Sequence, residues 1–227
     1  MDFTGLIVLV SDASHSLGQG ISSVFTRYGA TVIAVNCPEN ALQHSFPREV
    51  DTGSFAQVKA AVADLLLEFG HIDILINCNG QPSNETIEDI TSQEWLDALH
   101  SALYTAFYFS QPVAAHMAQR RSGVILNVSS GAADSGIGEG AQWCAAHAGL
   151  NGLMRAMARE LAPLGIRVNS IAPAYIENMA EDVTAVIPVR RMGTPEDVGQ
   201  MAAYLASPLS GFVNSQILTL DGGYVYR

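Results

Sequence analysis

The sequence predicts an α/β protein built on one doubly wound parallel sheet of about seven strands, with helices on both faces. Three observations carry this reading. Short apolar runs alternate with helical patterns from end to end, the signature of successive βαβ units. The runs are continuously apolar, as strands buried on both faces are. A chain of 227 residues with no repeat, low-complexity tract or linker suits one sizeable core, so residues 1–227 read as a single domain.

Leu6-Ile7-Val8-Leu9-Val10 is the first strand, and a helix follows from Leu17 to Tyr28, closed by Gly29 as the residue that tolerates a left-handed cap. Thr31 to Val35 is the next strand. Ala56 to Phe69 carries Val58, Val62, Leu65 and Phe69 at helical spacing, with Gly70 after it. Ile72 to Ile76 is a further buried strand. Thr91-Ser92-Gln93-Glu94 is a capping box that opens a long helix over 91–119. Gly123 to Val128 is a strand, 140–161 a helix, and Arg167 to Ile171 a strand. Pro195 to Ala206 is a helix with Pro in its first turn, where the missing N–H costs nothing. Ile217 to Leu220 is the last strand.

Composition narrows the function. Eleven basic residues face 22 acidic ones, a net charge of −11. That charge repels a phosphate backbone or an anionic membrane, which argues against nucleic acid and membrane partners. No apolar run reaches the ~20 residues of a membrane span, and Met1-Asp2-Phe3-Thr4 lacks a basic leader, so a cytoplasmic protein is expected. Cys37, Cys78 and Cys144 form neither a disulfide framework nor a metal site. Charged residues are 15% and hydrophobic ones 48%, which leaves apolar surface to hide. The helices over 91–119 and 140–161 are apolar on nearly every side, and the sheet covers only one side of each. A second subunit is expected on the other.

The motifs sit at strand ends. Ser11-Asp12-Ala13-Ser14-His15-Ser16-Leu17-Gly18 joins the first strand to the first helix, where a nucleotide-binding fold places a Gly-rich turn. Asn77-Cys78-Asn79-Gly80, Asn127-Val128-Ser129-Ser130, the run from Gly165 to Pro173, and Leu220-Asp221-Gly222-Gly223 follow in order. On these blocks the chain resembles the short-chain dehydrogenase/reductase family over essentially its whole length, which implies a Rossmann-type fold.

The resemblance also implies where the chemistry should sit, and most of those positions are altered. Ser11 stands for the Thr of the family's turn, Asp12 and Ser16 for its first two glycines, and Gly18 for the third. A carboxylate at Asp12 repels diphosphate and a Cβ at Ser16 crowds it. Asn36 stands for the residue that grips the adenosine ribose, while Asp51 matches the adenine-side Asp. Of the four catalytic positions only Ser130 is kept. The Asn position is Ala102, the Tyr position is Trp143, and the Lys position is His147. An indole N–H does not titrate, and histidine is shorter than lysine and mostly neutral near pH 7.

These substitutions spare the packing residues, so the expectation is a catalytically inactive subunit that binds no cofactor. It would stabilise an active, NAD-binding paralogue in a heterotetramer through helices 91–119 and 140–161. Such pairings occur in the family, for example in oxidation of benzylsuccinyl-CoA-type intermediates. Two enzymatic alternatives stand beside it. One is nicotinamide-independent acid/base chemistry on Ser130 and His147, aided by Glu139, Tyr175 or Glu177. The other is an NAD(P)-dependent oxidoreductase with an atypical site.

Overall fold

The computed structural model describes residues 1–38, 41, 45–78, 80, 85–176 and 184–224. Its elements run β1 (Ile7–Val10), α1 (Ser16–Arg27), β2 (Thr31–Val35), β3 (Ser45–Arg48), α2 (Phe55–Phe69), β4 (Ile74–Asn77) and α3 (Ser92–Leu99). After them come α4 (Thr105–Arg120), β5 (Gly123–Val128), α5 (Ala132–Ser135), α6 (Ala141–Leu161), β6 (Ile166–Pro173), α7 (Pro195–Ala206) and β7 (Ile217–Leu220). The seven strands form one sheet in the order β3-β2-β1-β4-β5-β6-β7, and every pairing is parallel.

Parallel pairing explains the continuous apolar runs. Within β1, Val8 and Val10 pack into the layer that holds Ile21, Val24 and Phe25 of α1 and Val198 and Ala202 of α7. Ile7 and Leu9 face the opposite layer, against Val58 and Val62 of α2, Phe109 and Met117 of α4 and Met154 of α6. Successive residues of one strand thus serve two cores, and each such apolar side chain adds roughly 1.5–3 kcal/mol of transfer free energy.

Three features depart from the sequence reading. A strand, β3, occupies the stretch between Asn36 and Asp51; it was not foreseen because Ser45-Phe46-Pro47-Arg48 is neither apolar nor free of proline. Its edge position, paired only to β2, is what makes Pro47 tolerable there. The short helix α5 was also unforeseen. The long helix over 91–119 is divided by a π-helical turn at His100–Tyr104. There the Thr105 hydroxyl donates to the His100 carbonyl at 3.0 Å, adding a side-chain bond that periodicity cannot reveal.

The strand order reverses between β1 and β4, and the loops following these two strands diverge to opposite sides. The crevice at their carboxyl ends is where an open α/β sheet receives a ligand. Among the described residues no helix is long and apolar enough to cross a membrane, and no cluster of His, Cys, Asp or Glu could hold a metal ion.

Candidate active site

The crevice is assembled from strand ends that backbone and polar side chains tie together. The Ser11 N–H donates to the Ile76 carbonyl at 3.0 Å, and the Ser11 hydroxyl accepts from the Cys78 N–H at 3.1 Å. Ser11 is fully buried. It clamps β1 to β4 at the reversal point. One strand further, Asn77 Nδ2 donates to Asn127 Oδ1 at 2.8 Å and to the Ser110 hydroxyl at 2.9 Å. This buried polar trio was missed in the sequence, although Asn77 and Asn127 end neighbouring strands in the same register.

In the β1–α1 turn the Asp12 carboxylate accepts the Ser14 N–H at 2.8 Å, and Gln19 Nε2 donates to the carbonyls of Ala13 and Ser14. Burial pushes the Cys78 thiol just after β4 up to about 12, and the Asp12 charge adds to it. Ser16 is exposed rather than packed into the turn. Gly18 is buried, and a Cβ there would lie 2.1 Å from the Asp12 carbonyl oxygen. The glycine lets the turn lie directly on α1. The helix begins at Ser16 after His15, which provides no side-chain cap, and has no acidic residue in its first turn. Its first N–H groups and dipole therefore favour an anion.

At the far side, Asn36 has φ +54°. Its amide donates to the Val50 carbonyl at 3.0 Å and accepts from the Val50 N–H at 2.9 Å. Asp51 is exposed and accepts from the Gly53 N–H at 3.0 Å and from Gln57 Nε2 at 3.2 Å. Asn36 thus anchors the loop behind Asp51.

The catalytic positions separate into two groups. Ser130 follows β5, and its hydroxyl bonds Glu139 Oε2 at 2.7 Å while accepting the Ala132 N–H at 3.1 Å. Burial raises the Glu139 carboxyl above the ordinary carboxylate range, and the Ser130 hydrogen bond partly offsets this. The Trp143 indole N–H lies near enough to favour the Glu139 anion but makes no hydrogen bond of good geometry. A small cavity of about 20 Å³ opens between Ser130, Gly138, Glu139, Ala174 and Tyr175. Tyr175 is held at φ +54° and packs edge-on against Tyr224, with ring centroids 4.6 Å apart.

Trp143 and His147 form the other group. Their ring centroids are 4.1 Å apart, and the indole leans on Gly80, where a Cβ would meet it at 2.9 Å. Gln142 Nε2 ties the start of α6 to Glu85 at 2.8 Å. His147 is 1% exposed, neither ring nitrogen has a hydrogen-bond partner, and burial pushes its pKa down to about 3. The structure does not bring His147 to Ser130; the partner of Ser130 is Glu139. Ala102 lies buried in the π-helical turn and offers no polar group. Glu177 lies outside the described residues.

Comparison with known proteins bears on what this crevice does. A family model described as enoyl-(acyl carrier protein) reductase matches residues 12–225. The 3-oxoacyl-[acyl-carrier-protein] reductase FabG of Chlamydia pneumoniae is 33% identical, with 100% of both chains covered. Nodulation protein G of Azospirillum brasilense is 32% identical over 97% of this chain and 98% of its own. The solved structure of levodione reductase superposes with a TM-score of 0.90 at 26% identity, covering 97% of this chain and 98% of that one.

These findings correct two expectations. An inactive subunit, and a chain that binds no cofactor, do not agree with full-length relatives named as reductases. The physical reason is that the groups at Trp143 and His147 do not exhaust the site: the loop before α6 brings a carboxyl, Glu139, to the retained Ser130.

Proposed function

The chain belongs to the short-chain dehydrogenase/reductase family, and on that premise we propose that it is an NAD(P)-dependent oxidoreductase with an atypical site, interconverting a carbonyl and an alcohol in the cytoplasm. The observation that carries the reading is the Ser130–Glu139 pair beside a crevice at the strand-order reversal. Three free cysteines suit a reducing compartment.

The residues present fit a dinucleotide on one structural ground: Gly18 lets the β1–α1 turn lie directly on α1, and that helix starts without a side-chain cap from His15 and without acidic residues in its first turn. The first-turn N–H groups of α1 would hold the diphosphate, and Asp51 the adenine side, since the Asn36 amide is engaged by Val50. When bound, the nicotinamide supplies or accepts a hydride. The Ser130 hydroxyl can donate to a carbonyl oxygen and polarise it. Trp143, tilted against His147 and leaning on Gly80, closes the inner wall and excludes water from the reacting carbon.

The test is a titration with NADH and NADPH, followed by Trp143 emission in a Trp95→Phe background and by consumption of the reduced dinucleotide with a 3-oxoacyl thioester. Quenching at micromolar concentration with one dinucleotide, together with turnover, is expected. Absence of both up to millimolar concentration would reject the reading.

We also propose that a second subunit covers the outer face of α4 and α6. A groove of about 420 Å³ lies there between Phe107, Gln111, Ala114, Leu153, Ala156 and Met157, and Leu96 and Phe107 are 52% and 42% exposed. Burying that apolar surface favours association. A solution mass at a multiple of 24.1 kDa is expected by light scattering, and a monomer at working concentration would contradict it.

A further inference from the structure

We propose that Glu139 is the proton-transferring residue of this site, giving its carboxyl proton to the substrate oxygen during reduction and taking it back during oxidation. The inference rests on the oxidoreductase reading above and deepens it. In the family pattern a phenol at the position of Trp143 would do this work, and an indole N–H cannot titrate. His147 is buried, burial keeps its ring neutral, and neither ring nitrogen is hydrogen-bonded to Ser130 or to any other group in the structure. Among the described residues, Glu139 is the carboxyl hydrogen-bonded to the Ser130 hydroxyl.

Four observations place it for that role. Its Oε2 is 2.7 Å from Ser130 Oγ, so both can reach the same oxygen. The cavity bounded by Ser130, Glu139, Ala174 and Tyr175 has about 20 Å³, room for one oxygen-sized group. Burial works against its charged form, which keeps a proton on the carboxyl to higher pH than in water. Among the described residues the groups facing it carry no charge: they are the Ser130 hydroxyl and the Trp143 indole, the Cys144 thiol, which donates to its backbone carbonyl at 3.8 Å, and Tyr175 across the cavity.

The step balances with a reduced nicotinamide dinucleotide and water as co-reactants. A hydride, carrying two electrons, passes from a reduced nicotinamide dinucleotide to the carbonyl carbon. The carbonyl π bond breaks, the oxygen takes the proton of the Glu139 carboxyl, and a carboxylate remains. Water then restores the proton. Reduction should therefore weaken as pH rises through the raised Glu139 pKa, because only the protonated form can donate.

The experiment compares wild type with Glu139→Gln, which keeps shape and hydrogen bonding but cannot supply the proton. With a 3-oxoacyl thioester and the better of NADH and NADPH, kcat is expected to fall ~10²–10⁴-fold, the range of general acid catalysis. KM and the dinucleotide dissociation constant, read by Trp143 quenching, are expected to stay within about twofold. The fall of wild-type kcat with rising pH should vanish in the variant. Independently of turnover, infrared difference spectra should show a protonated carboxyl band in wild type that persists above the range of a free glutamate and is absent from Glu139→Gln. A variant that retains kcat and the pH dependence overturns the proton donor while leaving the oxidoreductase reading in place. So does a wild-type band that titrates like a free carboxyl. Wild type that binds neither dinucleotide and reduces nothing overturns both.

Discussion

Gly18→Ala is expected to destabilise the protein by ~3 kcal/mol, toward the top of the range for an overpacked site. The added Cβ would lie 2.1 Å from the Asp12 carbonyl oxygen, 2.9 Å from Ala13 Cα and 3.0 Å from the Asp12 carbonyl carbon. All three are backbone atoms, so no side chain can swing aside. Nor can the turn retreat: the Ser11 N–H is bonded to Ile76 at 3.0 Å and the Ala13 N–H to Val35 at 2.7 Å. Either those bonds break or α1 moves off the core that Ile21, Val24 and Phe25 build with α7. For a chain of this size the loss corresponds to a fall in Tm on the order of 10 °C. A urea midpoint unchanged from wild type would show that the turn is not held as described. Dinucleotide quenching of Trp143 should be lost in the same variant, because the displaced backbone is the proposed diphosphate cradle.

The second large effect is acid sensitivity located at His147. Burial holds this imidazole at about 3, below its ordinary 6.5, so folding favours the neutral ring. The sign follows from linkage: the unfolded chain takes up a proton below pH 6.5 while the folded ring does not, so stability present above that pH is lost as pH falls. At ~1.4 kcal/mol per pH unit, the loss between pH 6.5 and about 3 is on the order of 4 kcal/mol. His147→Leu removes the titrating group, and both ring nitrogens it removes were unpartnered, so stability at pH 7 should change little. The difference between the two unfolding free energies, plotted against pH, should be flat above 6.5 and slope below it. Parallel curves would refute the assignment. Asp197 does not confuse the comparison, since the Arg191 guanidinium beside it holds its carboxyl at about 2 and that contribution is present in both proteins. His147→Lys, which would restore the family residue, is expected to destabilise at pH 7, because its ammonium would enter the same dry site unpaired.

The site was only partly legible. Ser130 was readable because a Ser after an apolar run marks a strand end within a run of ordered motifs. Trp143 and His147 were placed on one helix face by their spacing of four residues, and their ring contact follows from it. Which of His147, Glu139, Tyr175 and Glu177 meets Ser130 was not legible, since Glu139 lies nine residues on, past the one-turn helix α5 and the turn after it. That connection carries no sustained period, and periodicity is what locates side chains in a sequence. Asn36 was assigned to the adenosine ribose by position, yet its amide closes on Val50, fourteen residues away. A polar residue advertises its chemistry in the sequence but not its partner.

What the sequence alone determined is the parallel sheet, the two layers of helices, the capping box at Thr91, and the location of the crevice. All of these depend on local period or on short-range capping chemistry, which adjacent residues encode. Only the tertiary structure decided that Pro47 lies in an edge strand, that a π-helical turn splits the helix before β5, and that Glu139 meets Ser130. Each of these depends on which distant backbone or side chain fills the remaining hydrogen-bond and packing space. That space exists only once the sheet has been assembled.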